Sequence, residues 1–208
     1  MSEPVIKVRN LVKTYGALRA VDGISFDVHR GEVFAFLGPN GAGKTTTVEI
    51  IETIRSPTSG EVNLLGYDVT KDKKKIVPNI GVLPQQFSSF DRITVRETLQ
   101  YYARLFCCKD VDIDKLISLV NLTDKKNELY KNLSGGLKQR LGIAITLVND
   151  PAVVFLDEPT TGLDPRARHE VWEVLQGLKT EGKTVFLTTH YMEEAELLAD
   201  TVAIINKG

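Results

Sequence analysis

Short apolar runs alternate along the chain with segments whose apolar residues recur at helical spacing. The runs occupy residues 33–37, 80–83, 153–156, 184–187 and 201–205. Continuous apolar runs of this length are typical of strands buried on both faces of a parallel sheet. Between the later runs, residues 165–180 and 192–199 read as amphipathic helices. The pattern therefore predicts an α/β domain around a mainly parallel central sheet.

Residues 5–30 show a different pattern. Ile24, Phe26 and Val28 alternate with polar residues, which indicates strands with one buried and one solvated face. We expect an N-terminal antiparallel β subdomain, in which Lys13-Thr14-Tyr15-Gly16 forms a loop that carries a lone aromatic residue.

Residues 92–149 change to helical periodicity. Leu99, Tyr102, Leu105 and Phe106 recur at helical spacing, and Asp112 is a candidate cap for a second helix. This block predicts an inserted α-helical subdomain. We expect one domain over residues 1–208, with the β subdomain and core in 1–86 and 151–208 and the helical subdomain in about 87–150.

The composition is that of an ordinary globular protein. Hydrophobic residues make up 42% of the chain and charged residues 25%. A net charge of -1 argues against nucleic acid as the main partner, so none is expected. Cys107 and Cys108 are adjacent, lack metal-ligand spacing and suggest a reducing, cytoplasmic setting. No signal-peptide pattern opens the chain, and no apolar run approaches the ~20 residues that span a bilayer.

The stretch GPNGAGKTT, residues 38–46, follows the first buried run and precedes a helical segment. All fixed positions of the phosphate-binding motif GxxxxGK[ST] are filled, and strand, glycine loop and helix are its required context. Backbone N–H groups of the loop and the helix start can converge on a phosphate. Lys44 can reach the terminal phosphates, and the Thr45 hydroxyl is placed to bind Mg²⁺. A chance glycine turn explains this combination less well.

Asp157 and Glu158 follow the run at 153–156 and therefore sit at the carboxyl end of a strand, where ligands of open α/β sheets gather. One carboxylate can hold Mg²⁺, and the other can orient and deprotonate an attacking water. An acidic loop before a proline is the simpler alternative.

Seven motifs follow one another in a fixed order along the chain. They are KTYG at 13–16, GPNGAGKTT at 38–46, LPQ at 83–85, LSGGLKQR at 133–140, VVFLDEP at 153–159, GLDP at 162–165 and TH at 189–190. LSGG followed by LKQR is far more specific than the phosphate loop, which many nucleotide hydrolases share. Together the motifs resemble the nucleotide-binding domain of an ABC transporter over essentially the whole chain.

The resemblance implies a role for each matching position. Tyr15 would stack on adenine, and Gln85 would meet Mg²⁺ and the attacking water. Glu158 would be the catalytic base, His190 would contact the γ-phosphate, and Asp164 would link the two sites. The loop residues expected to bind the nucleotide are Gly38, Pro39, Asn40, Gly41, Ala42, Gly43, Lys44, Thr45 and Thr46, and the expected metal ligands are Thr45, Gln85 and Asp157.

Ser134, Gly135 and Gly136 match the signature that binds the γ-phosphate held by an opposite subunit. A serine cap and two glycines that open a helix make a physically reasonable second anion site. The resemblance thus implies that two chains, as a homodimer or as a pair with a similar ATPase subunit, bury two ATP molecules between them.

The implied function is ATP hydrolysis that powers export through a separate membrane permease. The amino-acid sequences of the motifs are most similar to those of ATPases of drug- or antibiotic-type exporters. This resemblance implies that the chain would lie on the inner face of the cell membrane. The permease would dock near Gln85 and residues 87–106, where we expect exposed polar and aromatic residues such as Phe87, Phe90 and Arg92 to cluster. Its cargo is not readable from this chain.

Soluble ABC-family ATPases that act on ribosomes or DNA are the alternative. The ribosomal proteins usually carry two cassettes, and the DNA-associated proteins separate the two phosphate motifs by long coiled coils. This chain has one cassette and only residues 47–133 between the motifs. Relatives usually continue beyond a strand such as 201–205, so we expect that the sequence is truncated at its C-terminus.

Overall fold

The computed structural model describes residues 4–85 and 87–208. Its strands are β1 Pro4–Tyr15, β2 Leu18–His29, β3 Val33–Leu37, β4 Ser59–Leu64, β5 Tyr67–Asp68, β6 Ile80–Leu83, β7 Val153–Asp157, β8 Thr184–Thr189 and β9 Thr201–Ile204. Its α-helices are α1 Lys44–Ile51, α2 Lys73–Ile76, α3 Val95–Leu105, α4 Ile113–Leu119, α5 Gly135–Thr146, α6 Pro165–Thr180 and α7 Met192–Leu198.

The predicted central sheet is confirmed. Strands β6, β7, β8, β3 and β9 lie side by side in that order, and every neighbouring pair is parallel. Parallel strands end at one common edge, so the residues that follow β3, β7 and β8 are brought together. These residues are the phosphate loop, the two carboxylates and His190.

Alternate residues of the parallel strands enter two different cores. Phe34, Phe155 and Phe186 pack with α1 and the antiparallel strands, and the Phe34 and Phe186 ring centroids are 5.2 Å apart. Leu156 and Leu187 on the other face pack with helices α3 to α7. Burial on both faces explains why these strands are continuous apolar runs.

The antiparallel sheet has the order β2, β1, β4, β5. Strands β1 and β2 pair as a hairpin up to Tyr15 and Leu18. The expectation of a loop at residues 13–16 was therefore wrong for Lys13 to Tyr15, since pairing with β2 continues to the hairpin tip. This position leaves Tyr15 40% exposed.

Helix caps in residues 92–149 follow the sequence signals. Thr94 and Glu97 form a reciprocal capping box on α3, and the Asp112 and Ser134 side chains accept N–H bonds at the starts of α4 and α5. The stripe on α3 is only partly a packing face, because Leu105 is 55% exposed. The division into subdomains stays a prediction.

Candidate functional site

The phosphate loop lies between β3 and α1. Gly43 precedes α1 with φ 104°, and a Cβ at this position would lie 2.4 Å from the Ala20 carbonyl oxygen. Only glycine accepts both constraints without strain. Glycine at this position therefore lets the phosphate loop pack directly against β2.

Lys44 folds back over this loop. Its ammonium donates to the carbonyl oxygens of Gly38 at 2.7 Å and Pro39 at 3.2 Å, and its side chain is 5% exposed. These contacts hold the positive charge at the mouth of the loop, where it can meet phosphate oxygens.

Glu158 forms an ion pair with Lys44. Its Oε1 lies 3.3 Å from Lys44 Nζ, and its Oε2 lies 3.2 Å from His190 Nδ1. The same Oε2 accepts from Gln85 Nε2 at 3.4 Å and from the Thr161 hydroxyl at 3.2 Å. The Glu158 carboxylate thus contacts three residues that were predicted for the site, Lys44, Gln85 and His190, each from a different segment of the chain.

The backbone of Glu158 is strained. Its φ is 47°, in the left-handed region that non-glycine residues rarely adopt. Strain of this kind concentrates at functional sites and persists only where the surroundings hold it. The conformation turns the chain sharply after β7, so that Asp157 and Glu158 face different partners.

The surroundings shift the pKa values of the Asp157 and Glu158 carboxyl groups in opposite directions. Burial raises the pKa of Glu158, but the ion pair with Lys44, together with the nearby His190, outweighs burial and leaves that pKa below its usual value. Burial also raises the pKa of Asp157, and here the hydrogen bond from Thr188 opposes the effect without cancelling it. Glu158 therefore keeps its negative charge under ordinary conditions.

A cavity of about 440 Å³ lies over the loop. Tyr15 and Glu158 both line this cavity, and the Lys13 ammonium lies 5.2 Å from the Tyr15 ring centroid. The predicted residues that line the cavity are Tyr15, Pro39, Asn40, Gly41, Gly43, Lys44, Thr45, Thr46, Gln85 and Glu158. A cavity lined by both an aromatic ring and phosphate-binding groups suits a nucleotide.

The signature residues lie elsewhere. Ser134 caps α5 by accepting the Leu137 N–H, and both Ser134 and Gly135 are exposed. A Cβ at Gly136 would lie 2.7 Å from the Ala167 Cβ, so the glycine lets α5 approach α6 closely. Within the described residues, these three do not line the cavity around Lys44.

The donor set at the site fits Mg²⁺ bound together with phosphates. Thr45 and Gln85 line the cavity, and Asp157 ends β7 nearby; hydroxyl, amide and carboxylate oxygens are the ligands this hard cation takes. No group of three or more His, Cys, Asp or Glu side chains able to hold a metal occurs in residues 4–85 and 87–208. A cation here would therefore depend on phosphate oxygens for part of its shell.

Several residues of the site were not predicted. Leu18 and Ala20 line the cavity from the hairpin, and the Thr161 hydroxyl binds Glu158. Thr188 contacts both Asp157 and Glu158 from β8. The sequence of β8 does not single out Thr188, because every residue of that strand is buried and no polar–apolar alternation distinguishes one position from the next.

Fold and site together define a P-loop nucleotide-binding protein. The ABC transporter family matches residues 21–161, and the chain belongs to that family. None of the helices in the described part of the chain is long and apolar enough to cross a membrane.

Curated relatives share one description, Nod factor export ATP-binding protein I. The protein from Ralstonia nicotianae is 44% identical over 100% of this chain and 66% of its own length. The protein from Paraburkholderia xenovorans is also 44% identical, with 70% of its length covered, and that from Rhizobium meliloti is 43% identical, with 62% covered. The chain thus spans about two thirds of the length of these relatives.

Solved structures of ATP-binding cassettes share the fold. The cbiO1 protein from Clostridium perfringens, part of the ABC transporter complex cbiONQ, has a TM-score of 0.89 and 30% identity over 100% of this chain and 86% of that one. A cassette solved as a dimer in a post-hydrolysis state with ADP and Pi has a TM-score of 0.84 and 26% identity over 98% and 95% of the two chains.

Proposed function

We propose that this chain binds ATP with Mg²⁺, hydrolyses it and powers an ABC exporter. The observation that carries the proposal is the convergence of Lys44, Gln85 and His190 on the Glu158 carboxylate at the mouth of the phosphate loop. A negatively charged base beside the phosphate-binding lysine suits activation of a water for in-line attack on a terminal phosphate.

Each predicted residue has a task in this reaction. The loop N–H groups and Lys44 hold the phosphates, and Tyr15 supplies a flat surface for adenine. Phosphate oxygens compete with Glu158 for the Lys44 ammonium, so nucleotide binding frees the carboxylate to accept a proton from water. His190 and Gln85, which contact the same carboxylate, orient the water.

Mg²⁺, held by Thr45, Gln85 and Asp157, would neutralise charge that develops on the phosphates. Fixed positive groups placed before the reaction lower its barrier without having to reorganise during it.

The second half of the site would come from another subunit. Ser134 and Gly135 are exposed at the start of α5, where unpaired N–H groups can receive an anion. Two chains arranged head to tail, either two copies or one copy with a similar subunit, would place each signature on the partner's nucleotide. A relative solved as a dimer with ADP and Pi bound supports the pairing of two chains.

The partner that we propose is a membrane permease, which would hold the chain at the inner face of the cell membrane. An apolar groove of about 640 Å³ offers a docking site, and its exposed large apolar residues are Ile54, Val77, Val82 and Phe106. Exposed apolar residues grouped in a groove are typical of a binding surface. Phe90 is also exposed, but Phe87 is less exposed than expected, because it is partly buried against the core and packs on Tyr130.

Hydrolysis is tested with the purified chain. The wild type should release phosphate from ATP in the presence of Mg²⁺, and Lys44→Ala should abolish nucleotide binding measured by calorimetry. Lys74→Ala removes an exposed lysine remote from the loop and should change neither quantity. Absence of phosphate release by the purified wild type, or unchanged ATP affinity in Lys44→Ala, would contradict the proposal.

The permease is tested by co-purification from solubilised membranes of the source cell. Tagged wild type should retain a polytopic membrane protein, and Ile54→Glu in the groove should lose it while ATP binding persists. Leu197→Glu, at a remote residue that is 49% exposed, is the matched control and should retain the partner. Capture of ribosomes or DNA in place of a membrane protein would favour the alternative class.

A further inference from the structure

Thr188 sits where the functional strands meet. It lies on β8, directly beside Asp157 of β7 in the parallel register, and is 0% exposed. A threonine buried this deeply must satisfy its hydroxyl within the protein.

The hydroxyl makes two contacts with the two acidic residues. It donates to Asp157 Oδ1, and it accepts the backbone N–H of Glu158 at 3.0 Å. The Thr188 carbonyl oxygen also accepts that N–H, at 3.2 Å. A single hydroxyl thus uses its proton on one residue and a lone pair on the next.

Both contacts act on groups that would otherwise be poorly held. Among the residues that the structure describes, the Thr188 hydroxyl is the hydrogen-bond partner of the Asp157 carboxylate. Glu158 has the strained φ of 47°. The hydrogen bonds from its backbone N–H group to Thr188 hold the backbone at this strained residue. Removing the hydroxyl would release the Asp157 side chain and weaken the support for the Glu158 backbone.

We propose that Thr188 is a positioning residue that fixes Asp157 and Glu158 relative to the phosphate loop. This proposal rests on the proposed function of the site. Thr188 acts through these two residues, one expected to hold Mg²⁺ and the other to be the base. Its loss should therefore impair both metal-dependent nucleotide binding and turnover.

The test replaces the hydroxyl by a methyl group of similar size. Thr188→Val removes both hydroxyl contacts, whereas Thr188→Ser keeps them. Thr184→Val is the matched control, because Thr184 lies on the same strand, is 1% exposed and accepts the Gly31 N–H at 3.0 Å, away from the site.

Two quantities are measured for each variant. Calorimetry of ATP binding with Mg²⁺ and with EDTA gives the gain in affinity that the metal confers, and steady-state kinetics gives kcat and KM. In Thr188→Val we expect the metal-dependent gain to fall about 10-fold and kcat to fall about 10- to 100-fold, since hydrogen bonds to charged groups are among the stronger ones. Affinity in EDTA should not change.

The controls separate positioning from general destabilisation. Thr188→Ser should restore both quantities, and Thr184→Val should keep both even if its unfolding midpoint falls. If Thr188→Val does not fold, Thr188→Cys, a weak hydrogen-bonding group, should give values between those of the serine variant and the losses expected for valine.

A Thr188→Val or Thr188→Cys protein with wild-type metal dependence and kcat would overturn the proposal, as would equal losses in Thr184→Val. If the wild type fails to hydrolyse ATP, the proposed function fails instead, and the metal dependence of nucleotide binding still tests Thr188.

Discussion

The Lys44 ammonium and the Glu158 carboxylate form an ion pair at 3.3 Å, with 5% and 9% of their side chains exposed. The pair joins the residue that would bind the terminal phosphates to the residue that would activate water. A phosphate that binds the Lys44 ammonium competes with the Glu158 carboxylate for the same positive charge. Phosphate binding should therefore weaken this ion pair and leave the carboxylate available as a base.

Glu158→Gln should separate binding from hydrolysis. The amide cannot accept the proton of an attacking water, so we expect turnover to fall roughly 10²–10⁴-fold. ATP affinity should stay the same or increase, because phosphate no longer competes with a carboxylate for Lys44. Phosphate release and calorimetry measure the two effects. Glu173→Gln, on the exposed side of α6, should behave as the wild type, and near-normal turnover in Glu158→Gln would remove its assignment as the base.

The stability of the fold should depend on the protonation of Glu52 at the end of α1. Burial, together with repulsion from Asp157 and Glu49, raises the pKa of this carboxyl to about 8. The folded state therefore prefers the neutral acid, while the unfolded chain ionises near the usual value of ~4.3. This contribution to stability is fully present below the unfolded pKa and is lost as pH rises towards 8.

Glu52→Gln should remove that dependence. We expect its melting temperature to exceed that of the wild type increasingly between pH 5 and about 8, in EDTA so that no divalent cation screens Asp157. Glu61→Gln, at an exposed residue, should follow the wild-type curve. Parallel wild-type and Glu52→Gln curves over this range would show that Glu52 ionises normally in the folded state.

Sequence reasoning succeeded where one local signal decided the outcome. The bounds of α6 are those predicted, because Asp164 accepts the Ala167 N–H as a cap, Pro165 follows it and the apolar spacing is regular. The positions of the glycine loop between β3 and α1, and of Asp157 and Glu158 at the end of β7, were likewise predicted from a motif and its context. The roles of these residues stay predictions.

The remainder depended on tertiary pairing. The partial burial of Phe87 follows from its packing on Tyr130. The strand order β6, β7, β8, β3, β9 cannot be read from the order of the apolar runs along the chain. The contacts of Thr188 require the β7–β8 register, which fixes which of many buried strand residues lies beside Asp157. No single-segment pattern contains that information.

Glu194 on α7 should stabilise the segment after Glu158. It is 0% exposed, and its Oε1 accepts the Thr160 hydroxyl at 2.8 Å and the Trp172 indole N–H at 2.9 Å. Glu194→Ala leaves two buried donors without a partner, which should lower the free energy of unfolding by about 1–3 kcal/mol per unpaired group. Glu194→Gln keeps an oxygen acceptor and should lose less.

The fluorescence of Trp172 reports the loss of the Glu194 contacts directly, because Trp172 is the sole tryptophan of the chain. Urea unfolding followed by its emission gives the free energy, and the native emission should change in Glu194→Ala. Glu193→Ala, at the exposed neighbour on the same helix, should alter neither. Equal stability of the two alanine variants would show that the Glu194 contacts contribute nothing.

ATP should join two chains through the signature. In the Glu158→Gln background, where hydrolysis is slow, sedimentation with ATP and Mg²⁺ should show a dimer, and adding Ser134→Ala should weaken it. Since Ser134 also caps α5, its loss should cost about 0.5–2 kcal/mol of stability. Asp112→Ala removes a comparable cap from α4, where Asp112 accepts the Lys115 N–H at 2.9 Å, and it should destabilise the fold without affecting dimerisation. A dimer equally strong in both variants would mean that Ser134 serves α5 alone and that the second anion site lies elsewhere.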